Sequence, residues 1–296
     1  MKAKINIIIP VHNRKEHTKK CLESLAVQTY EHKEIIVVDD GSSDGTYEMI
    51  AENFPFVKIL RGDGNLWWTG AVNLGLSEIL NNSNNGEYVL LLNNDLIFKP
   101  DYLDKLISHA KRNPNSILGS VVCLVGSDSK IYDGGNTVNW WTAKIHKLNS
   151  ERRIEEFSQD HSERVSYLTG RGVLFPTKVF KVIGIYNKEK FPHYGDVELT
   201  RRANKKGYEL KIYYDCVVYT YTDSQPDTIT IKDIPWVLSN IKSKRNLKLR
   251  FWLSYLMTEN ILQGTFYFIS DLIRIGVKVT KLIAGKPSRL NVPINL

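Results

Sequence analysis

Three polar residues interrupt an otherwise apolar segment at residues 88–98, YVLLLNNDLIF. Residues 89–92 are typical of a buried strand, and Asn93, Asn94 and Asp95 follow them directly. Burying an unpaired polar group costs roughly 2–7 kcal/mol. The sequence therefore indicates either a turn or a ligand site at this point.

Three other predicted strands also end in polar residues. The clusters are Pro10 to Asn13, Asp39 with Asp40, and Arg61 to Asp63. Each cluster alone is explained by turn chemistry. Four in succession favour a ligand site, because the carboxyl ends of parallel strands meet at one edge of a sheet and line one crevice.

The elements that must position these clusters alternate. Four apolar runs predict buried strands, and segments with helical spacing separate them between residues 5 and 95. This alternation predicts an α/β fold with an open, mostly parallel, doubly wound sheet. Further strands are predicted within 117–126, 170–176 and 211–221. Composition changes after residue 225 to basic and aromatic helical sequence, so we expect a catalytic domain over 1–225 and a C-terminal helical segment over 226–296.

Composition limits the functional classes. The 296 residues are 42% hydrophobic and carry a net charge of +8, which suggests an anionic partner such as nucleotide phosphates, nucleic acid or an acidic membrane. The three cysteines form no CxxC pair, which argues against a zinc site and favours a reducing compartment. We expect no signal peptide and no transmembrane helix, and therefore a cytoplasmic protein.

Several motifs together resemble a family 2 inverting glycosyltransferase of the GT-A fold. They appear in the family's order over about residues 4–220: IIIPVHNR, VVDDGSSDGT, GNLWWTGAVNLGL, YVLLLNNDLIFKPDYL and GDVELTRRANKKGYEL. The VVDDGSSDGT segment is the most specific of them. The resemblance implies a GT-A-type sheet flanked by helices, and an enzyme similar to bacterial rhamnosyl- and galactosyl-type transferases of surface polysaccharide synthesis.

The resemblance implies a donor site for a UDP- or dTDP-linked sugar. Asp40, with Asp39 beside it, would accept a hydrogen bond from the N3–H of the pyrimidine base, an imide that offers one donor between two carbonyls. The alternative is that both acids only cap a turn. The expected nucleotide and donor residues are Pro10, Val11, Asn13, Asp39, Asp40, Arg61, Gly64, Asn65, Trp68, Gly70, Asn73, Asn93 and Asn94.

In the family's alignment, NND occupies the position of a DxD-type metal motif. A divalent cation, Mg²⁺ or Mn²⁺, would bridge to the diphosphate and neutralise charge on the leaving group. We expect Asp95 as the metal ligand, with Asn94 facing ribose, phosphate or a metal-bound water. Relatives carry a histidine where this chain has Tyr219 and Tyr221, so the metal has fewer protein ligands or uses another residue such as His193.

The same resemblance implies that Asp196, in GDVEL, is the catalytic base. Inversion needs a carboxylate that removes the proton of the acceptor hydroxyl during attack on the anomeric carbon. Glu198 is the fallback. The alternative is an ordinary acid in the first turn of a helix, and Gly195 replaces an acid that many relatives place before this aspartate.

Aromatic and glycine residues indicate where sugars bind. Tryptophan faces stack on pyranose rings. The alternatives for Trp67 and Trp68 are two core tryptophans under a helix, or one in the core and one at the site, and we favour the last. Glycines allow the backbone to approach a ligand closely. The expected acceptor or sugar contacts are Trp67, Trp140, Trp141, Gly170, Arg171, Gly172 and Glu198.

The C-terminal segment mixes basic and aromatic residues. Such helices lie on anionic membrane surfaces, or they pack on the catalytic domain or on a twin subunit in a homo-oligomer. These alternatives stay open: peripheral contact with the inner face of the cell membrane, or packing on the catalytic domain or in a homo-oligomer. The resemblance implies a glycan or polyprenyl-linked glycan as acceptor, and a polyprenyl-linked one would account for membrane contact.

Other functional classes fit less well. A sugar-phosphate nucleotidyltransferase would share the sheet and the metal, but the segment PVHNRKEH contains no glycine-rich loop. A non-catalytic nucleotide-sugar-binding module would tolerate the loss of Asp95 and Asp196, yet both are present. Nucleic-acid binding is not expected, because the basic residues concentrate near the C-terminus without a recognised motif.

Overall fold

The computed structural model describes most of the chain as one mixed α/β structure. The described residues are 2–82, 86–127, 129–192, 194–221, 231–240, 243 and 245–284. His193 and the segments 222–230 and 285–296 lie outside them.

The amino-terminal part alternates strands and helices as the sequence predicts. Its elements are β1 (Ile5–Val11), α1 (Lys15–Ala26), β2 (Lys33–Asp39), α2 (Thr46–Asn53), β3 (Val57–Arg61), α3 (Trp67–Asn81), β4 (Tyr88–Leu91), β5 (Leu96–Phe98) and α4 (Tyr102–Arg112). The prediction began α3 at Thr69, but the helix begins at Trp67, so both Trp67 and Trp68 belong to its first turn.

The remaining elements follow in a less regular order. They are β6 (Ser116–Leu124), β7 (Ile131–Asp133), β8 (Asn136–Asn139), β9 (Lys144–Lys147), β10 (Ser162–Arg164), β11 (Val173–Pro176), α5 (Lys178–Ile183), α6 (Gly195–Lys205), β12 (Glu209–Thr220), α7 (Ile234–Ser239), α8 (Leu247–Met257) and α9 (Ile261–Ile283). Short 3-10 turns occupy Ile154–Glu156 and Ile231–Asp233.

Within the described residues, ten strands form one sheet. Its main path runs β10-β12-β6-β11-β4-β1-β2-β3, with β5 beside β12 and β7 beside β6. Strands β1, β2, β3 and β4 are parallel, and β11 pairs antiparallel with both β4 and β6, so β6 and its parallel neighbour β12 run in the common direction. Six of the eight strands on the path therefore point the same way, which confirms the mostly parallel sheet.

Alternating side chains of the buried strands form a core on each face of the sheet. In β1, Ile5, Ile7 and Ile9 belong to one apolar cluster with α1, α2 and α4. Ile8 faces the opposite cluster, which holds α3, α5 and α6. This two-sided packing follows from the period of two along a strand.

The C-terminal helices pack against helix α6 of the α/β part of the chain. Leu249 and Met257 of α8 join an apolar cluster with Val197 of α6. Arg201 adds polar contacts, since its Nε donates to the carbonyl of Met257 at 2.8 Å and its guanidinium pairs with Glu259. The helical nature of this segment agrees with the prediction, and the domain boundary near residue 225 stays a prediction.

Candidate active site

Asp40 organises the loops at the carboxyl ends of β2 and β3. Its Oδ1 accepts the backbone N–H of Gly64 at 2.8 Å, and its Oδ2 accepts that of Trp67 at 2.9 Å. The residue is 4% exposed. A carboxylate can accept about four hydrogen bonds, so Asp40 holds the loop before α3 and retains capacity to accept another donor.

Glycine at position 62 is required by this arrangement. A Cβ at residue 62 would lie 2.5 Å from Asp40 Oδ1, so any side chain there would displace the carboxylate. Asp39 serves the neighbouring turn, where its Oδ1 accepts the N–H of Ser42 at 3.0 Å. The acids after β2 therefore shape two loops that border the cleft.

A cavity of about 470 Å³ opens beside Asp40. It contains seven of the predicted donor and sugar residues, namely Pro10, Val11, Asp40, Gly64, Asn65, Trp67 and Trp68. His12, Ala71 and Pro192 complete the lining. We call it the Asp40 cavity. Its volume falls in the range of small-molecule sites, roughly 300–1,000 Å³.

A second cavity, of about 240 Å³, opens beside Asp196. Its lining is Trp68, Thr69, Asn93, Thr169, Gly170, Arg171, Pro192, Tyr194, Gly195 and Asp196. We call it the Asp196 cavity. Trp68 and Pro192 line both cavities, so the two spaces adjoin across one tryptophan and one proline.

Asp196 is held at the amino terminus of α6. Its Oδ1 accepts the N–H of Val197 at 2.9 Å, and its Oδ2 accepts that of Gly170 at 3.0 Å. These two N–H donors fix the orientation of the carboxylate. A half-buried, oriented carboxylate in a cavity wall is a candidate general base.

Trp68 forms the wall between the two cavities. Its indole Nε1 donates to Asn93 Oδ1 at 3.0 Å, and its ring meets Tyr186 edge to face with centroids 5.6 Å apart. A Cβ at Gly170 would lie 2.3 Å from the Trp68 ring, so only glycine fits there. Trp67 is 37% exposed and lines the Asp40 cavity but not the Asp196 cavity. Trp68 is partly buried and also packs against the apolar cluster on the α3 face of the sheet.

Asp95 carries the open carboxylate oxygen of the NND motif. Its Oδ1 is buried and has no hydrogen-bond partner within the described part of the chain. Its Oδ2 lies 3.4 Å from Arg14 Nη1. The neighbouring amides are occupied, because Asn93 Oδ1 accepts from Trp68 and Asn94 Nδ2 donates to Thr18 at 2.9 Å.

These residues fit a weakly protein-coordinated divalent cation. An unpartnered, buried carboxylate oxygen suits Mg²⁺ or Mn²⁺, and Asp95 supplies one. Asp95 does not line either cavity as the described residues define them. The Arg14 guanidinium also lies beside the Asp95 carboxylate. The sequence analysis did not predict this contact, although Arg14 directly follows the PVHN turn.

A group of possible ligands elsewhere is already hydrogen-bonded. His109, Asp215 and Cys216 place ligand atoms within 4.8 Å of one another. His109 Nε2 bonds Asp215 at 2.8 Å, and its Nδ1 bonds Arg112 at 2.8 Å. Burial raises the pKa of the Cys216 thiol well above its usual value, which disfavours the metal-binding thiolate. The group is consistent with a hydrogen-bond network between α4 and β12.

Several predicted site residues have structural contacts and lie outside the two cavity linings. Asn13 bonds the 42–43 turn, Arg61 stacks on Tyr47, and Gly70 packs on Leu66. Asn73 bonds the Tyr186 backbone, Asn94 bonds Thr18, and Gly172 packs on Ser120.

Glu198, the fallback base, is 6% exposed and forms a two-point ion pair with Arg202 at 2.8 and 3.0 Å.

The second tryptophan pair lies at the C-terminal helices. Trp140 stacks on Tyr267 with ring centroids 6.0 Å apart, and Arg201 lies 4.7 Å above it. Trp141 is 46% exposed and contacts Phe266. Trp140 lines a third cavity there, which adjoins the Asp196 cavity at Tyr194.

Four residues that line the Asp196 cavity were not among the predicted site residues. They are Thr69, Thr169, Pro192 and Tyr194, of which the last two lie in the loop before α6. Thr69 Oγ1 donates to the carbonyl of Phe191 at 3.0 Å, which ties this loop to α3. The adjacent motifs could have drawn attention to these positions, but the contact joins segments 122 residues apart.

Comparison with known proteins assigns the family. The Glycosyl transferase family 2 profile matches residues 6–180, more than half of the chain. This chain belongs to glycosyl transferase family 2. The glycosyltransferase AglE of Haloferax volcanii is 27% identical over 94% of this chain and 88% of its own length. An N-acetylglucosaminyl-diphospho-decaprenol L-rhamnosyltransferase of Mycobacterium tuberculosis is 25% identical over 67% of this chain and 69% of its own.

Solved structures agree with the fold of this family 2 glycosyltransferase. GalNAc-T7, crystallised with UDP, GalNAc and Mn²⁺, matches with a TM-score of 0.61 and 13% identity. The match covers 94% of this chain and 57% of that longer protein. The predicted GT-A fold and the predicted glycosyltransferase class are therefore confirmed. None of the helices in the described ranges combines the length and apolarity needed to cross a membrane.

Proposed function

We propose that this glycosyltransferase moves a sugar from a UDP- or dTDP-linked donor to a glycan or polyprenyl-linked glycan hydroxyl, with inversion at the anomeric carbon. One observation carries the proposal: the Asp40 and Asp196 cavities adjoin at Trp68 and Pro192. A donor in the first would present its sugar to a base in the second. The activity belongs to bacterial surface polysaccharide synthesis.

The Asp40 cavity supplies the chemistry for a pyrimidine nucleotide. Asp40 accepts the imide N–H of the base, while Pro10 and Val11 flank the ring. Trp67 and Trp68 offer flat apolar faces toward the ribose and the sugar. Because the protein's own N–H groups already orient the Asp40 carboxylate, little ordering is needed when the nucleotide binds.

Asp196 acts as the general base. It accepts the proton of the acceptor hydroxyl as that oxygen attacks the anomeric carbon from the face opposite the diphosphate. Gly170 and Val197 keep the carboxylate oriented through their N–H groups. Arg171, in the same cavity, brings positive charge toward the acceptor or the leaving group.

Asp95 would hold a divalent cation together with diphosphate oxygens. Such a cation stabilises the negative charge that develops on the departing nucleoside diphosphate. Arg14 shares this task, because its guanidinium already lies beside Asp95 and can bond phosphate oxygens. The protein's grip on the metal rests on one carboxylate, so we expect diphosphate binding and metal binding to depend on each other.

Isothermal titration with UDP, dTDP and GDP, each with and without Mn²⁺, tests the donor site. We expect one pyrimidine diphosphate to bind more tightly with Mn²⁺ than without it. Failure of all three nucleotides to bind would contradict the proposal. A preference for GDP would overturn the pyrimidine assignment while leaving the enzyme class intact.

Two observations support a lipid-linked acceptor at a membrane. The Mycobacterium tuberculosis relative is named for an N-acetylglucosaminyl-diphospho-decaprenol acceptor. The outer face of α9 is apolar and exposed at helical spacing, at Leu262, Phe266, Ile269, Ile273 and Val277. Trp141 extends this face, and we call the six residues the α9 apolar face.

We assign an anionic membrane surface to the α9 apolar face. Lys281, in the last turn of α9, is exposed and brings positive charge to the helix that carries this face. Amphipathic helices with lysine flanks bind in the headgroup region of anionic bilayers. The net charge of +8 acts in the same direction.

Vesicle co-sedimentation tests this assignment. The protein should sediment with phosphatidylglycerol-containing vesicles and much less with pure phosphatidylcholine. The double variant Phe266→Glu/Ile273→Glu should lose this binding. Val182→Glu, at an exposed valine of α5, is the matched control. A stable dimer that ignores vesicles would assign the face to a second copy and reject the membrane.

A further inference from the structure

A third cavity, of about 320 Å³, lies between the β8–β9 hairpin and helices α8 and α9. Aromatic and aliphatic side chains form part of its wall, including Trp140, Tyr167 and Tyr267. Five cationic side chains and one carboxylate, Asp271, complete its charged lining. The cations are Lys144, Arg245, Arg250, Arg274 and Lys278. We call it the cationic cavity.

Two atoms around this cavity have hydrogen-bonding capacity that the protein does not use. The Tyr167 hydroxyl is buried in a residue that is 3% exposed, and it has no partner among the described residues. Arg250 Nε is buried and equally without a partner there, although Nη1 of the same guanidinium bonds Asp271 at 2.6 Å. Buried polar groups normally have partners, so these two donors point to a ligand that accepts hydrogen bonds.

The cationic cavity has more cations than carboxylates. Asp271 is the one acid of its lining in the described part of the chain, and it already pairs with Arg250 Nη1 at 2.6 Å. The Arg274 guanidinium donates to the carbonyl oxygens of Thr142 and Ala143, which are neutral acceptors. Burial, and next the nearby Arg245 and Arg250, lower the pKa of Lys278. An anion placed among these side chains would relieve their mutual repulsion.

The position of the cavity relates it to the reaction centre and to the α9 apolar face. Tyr194 lines both the cationic cavity and the Asp196 cavity. Val197, which also lines the cationic cavity, directly follows Asp196 in α6. On α9, the cavity-lining residues Tyr267, Asp271 and Lys278 lie on the side of the helix opposite the α9 apolar face, as 3.6 residues per turn require.

We propose that the cationic cavity binds the phosphate or diphosphate group of the acceptor substrate. Charged phosphate oxygens would accept hydrogen bonds from Arg250, Lys278 and the Tyr167 hydroxyl. The sugar on that phosphate would then extend past Tyr194 toward Asp196. This inference rests on the proposed function, because it names the anionic part of the acceptor for that transfer.

Direct binding to the full chain tests the inference without any transfer assay. Farnesyl diphosphate, inorganic pyrophosphate and farnesol are titrated with and without saturating UDP. We expect farnesyl diphosphate to bind in both conditions and farnesol to bind far more weakly. Equal binding of pyrophosphate would indicate a soluble phosphorylated acceptor, and tighter binding of farnesyl diphosphate a lipid-linked one. Either result supports a phosphate site.

Two variants locate the binding. Lys278→Gln should weaken farnesyl diphosphate binding about tenfold or more, the loss expected for a hydrogen bond to a charged group. Lys248→Gln, at an exposed position of α8 outside the cavity lining, is the matched control and should bind like the wild type. Tyr167→Phe should weaken binding about threefold to tenfold. It removes a hydroxyl that has no hydrogen-bond partner in the ranges the structure describes, so the fold should be kept.

The inference is overturned if farnesyl diphosphate binds equally to the wild type, Lys278→Gln and Tyr167→Phe. It is also overturned if UDP abolishes the binding, since the diphosphate would then occupy the donor site. If the protein transfers sugar but does not bind farnesyl diphosphate, the phosphate site in the cationic cavity is rejected and the proposed function stands. If it binds farnesyl diphosphate but no nucleotide, the proposed function is rejected and the phosphate site stands.

Discussion

Asp40 and Asp95 lie just after two strands that both pair with β1, yet the structure uses their carboxylates differently. Asp40 has a backbone N–H on each oxygen and is 4% exposed. Asp95 has one buried oxygen without a partner in the described part of the chain, and an arginine 3.4 Å from the other. Residue type and position at the sheet edge are therefore not enough to assign a role.

The loops explain the difference. The segment between β3 and α3 bends over Asp40 and supplies donors from Gly64 and Trp67. The four residues between β4 and β5 turn back at once, because β5 pairs with β12. Within the described ranges no backbone N–H reaches Asp95 Oδ1. A carboxylate without such donors is available to a cation. The comparison predicts that substitution of Asp40 lowers the free energy of unfolding, whereas substitution of Asp95 changes cation-dependent binding. Asp196 is tested with them, as the candidate base.

The largest effect should follow replacement of Asp196 by asparagine. Loss of a general base lowers the transfer rate about 10²- to 10⁴-fold, while UDP affinity should change less than about twofold, because the Asp40 cavity is intact. Initial transfer rates and isothermal titration on the same preparation check this. Asparagine still accepts one of the two N–H groups. Full activity of Asp196→Asn would reject Asp196 as the base.

Asp40→Ala should cost more stability than any other change at the sheet edge. It leaves the N–H groups of Gly64 and Trp67 without an acceptor in a buried place. At about 1–3 kcal/mol for each group, the free energy of unfolding should fall by about 2–6 kcal/mol, measured by urea denaturation. Asp40→Asn keeps one acceptor and should lose less. An unchanged midpoint for Asp40→Ala would break the contrast with Asp95.

Gly170→Ala tests the wall between the cavities. The new Cβ would lie 2.3 Å from the Trp68 ring, which must move. Overpacking of this kind costs about 1–3 kcal/mol and should also weaken UDP binding, since Trp68 lines the Asp40 cavity. Gly276→Ala is the control, because a Cβ added there would meet no described atom within 4 Å apart from the backbone of its own helix. This variant should stabilise α9 by up to about 1 kcal/mol. Equal stability of both variants would contradict the packing.

Asp95→Asn should give the smallest energetic change and the most specific one. Removing the carboxylate charge should reduce the Mn²⁺-dependent gain in UDP affinity about tenfold, or ~1.4 kcal/mol. The free energy of unfolding should stay within about 0.5 kcal/mol, because Asp95 Oδ1 accepts no hydrogen bond from any residue that the structure describes. A destabilisation as large as that of Asp40→Ala would show that Asp95 is also structural.

Much of the scaffold could be predicted from the sequence. Apolar runs that end in polar clusters predicted β1 to β4, and helical spacing predicted α1 to α3 and α6. The motif resemblance predicted the family, which the profile match confirms. These successes share one cause: hydrophobic periodicity and turn residues are local, so neighbouring positions determine them.

The partners of the site residues could not be predicted in the same way. The sequence offered Asn73, Asn94 and Glu198 as ligand-facing groups, but each has a partner distant from the ligand cavities: Tyr186, Thr18 and Arg202. Asn73 and Asn94 meet residues 113 and 76 positions away. Such pairs depend on which loops pack together, and periodicity carries no information about that.

The sequence by itself determined the α/β order, the acids after the strands, the aspartate at the start of α6 and the basic, aromatic C-terminal helices. The tertiary structure decided which polar atoms the protein satisfies internally and which it leaves open. It occupied the Asp40 carboxylate, and it left Asp95 Oδ1 and the Tyr167 hydroxyl without partners among the described residues. It also gathered five cations from the β9 hairpin, from α8 and the turn before it, and from α9 into one cavity. The physical reason is that hydrogen bonding and charge balance depend on three-dimensional neighbours, whereas strand and helix periodicity depends on neighbours along the chain.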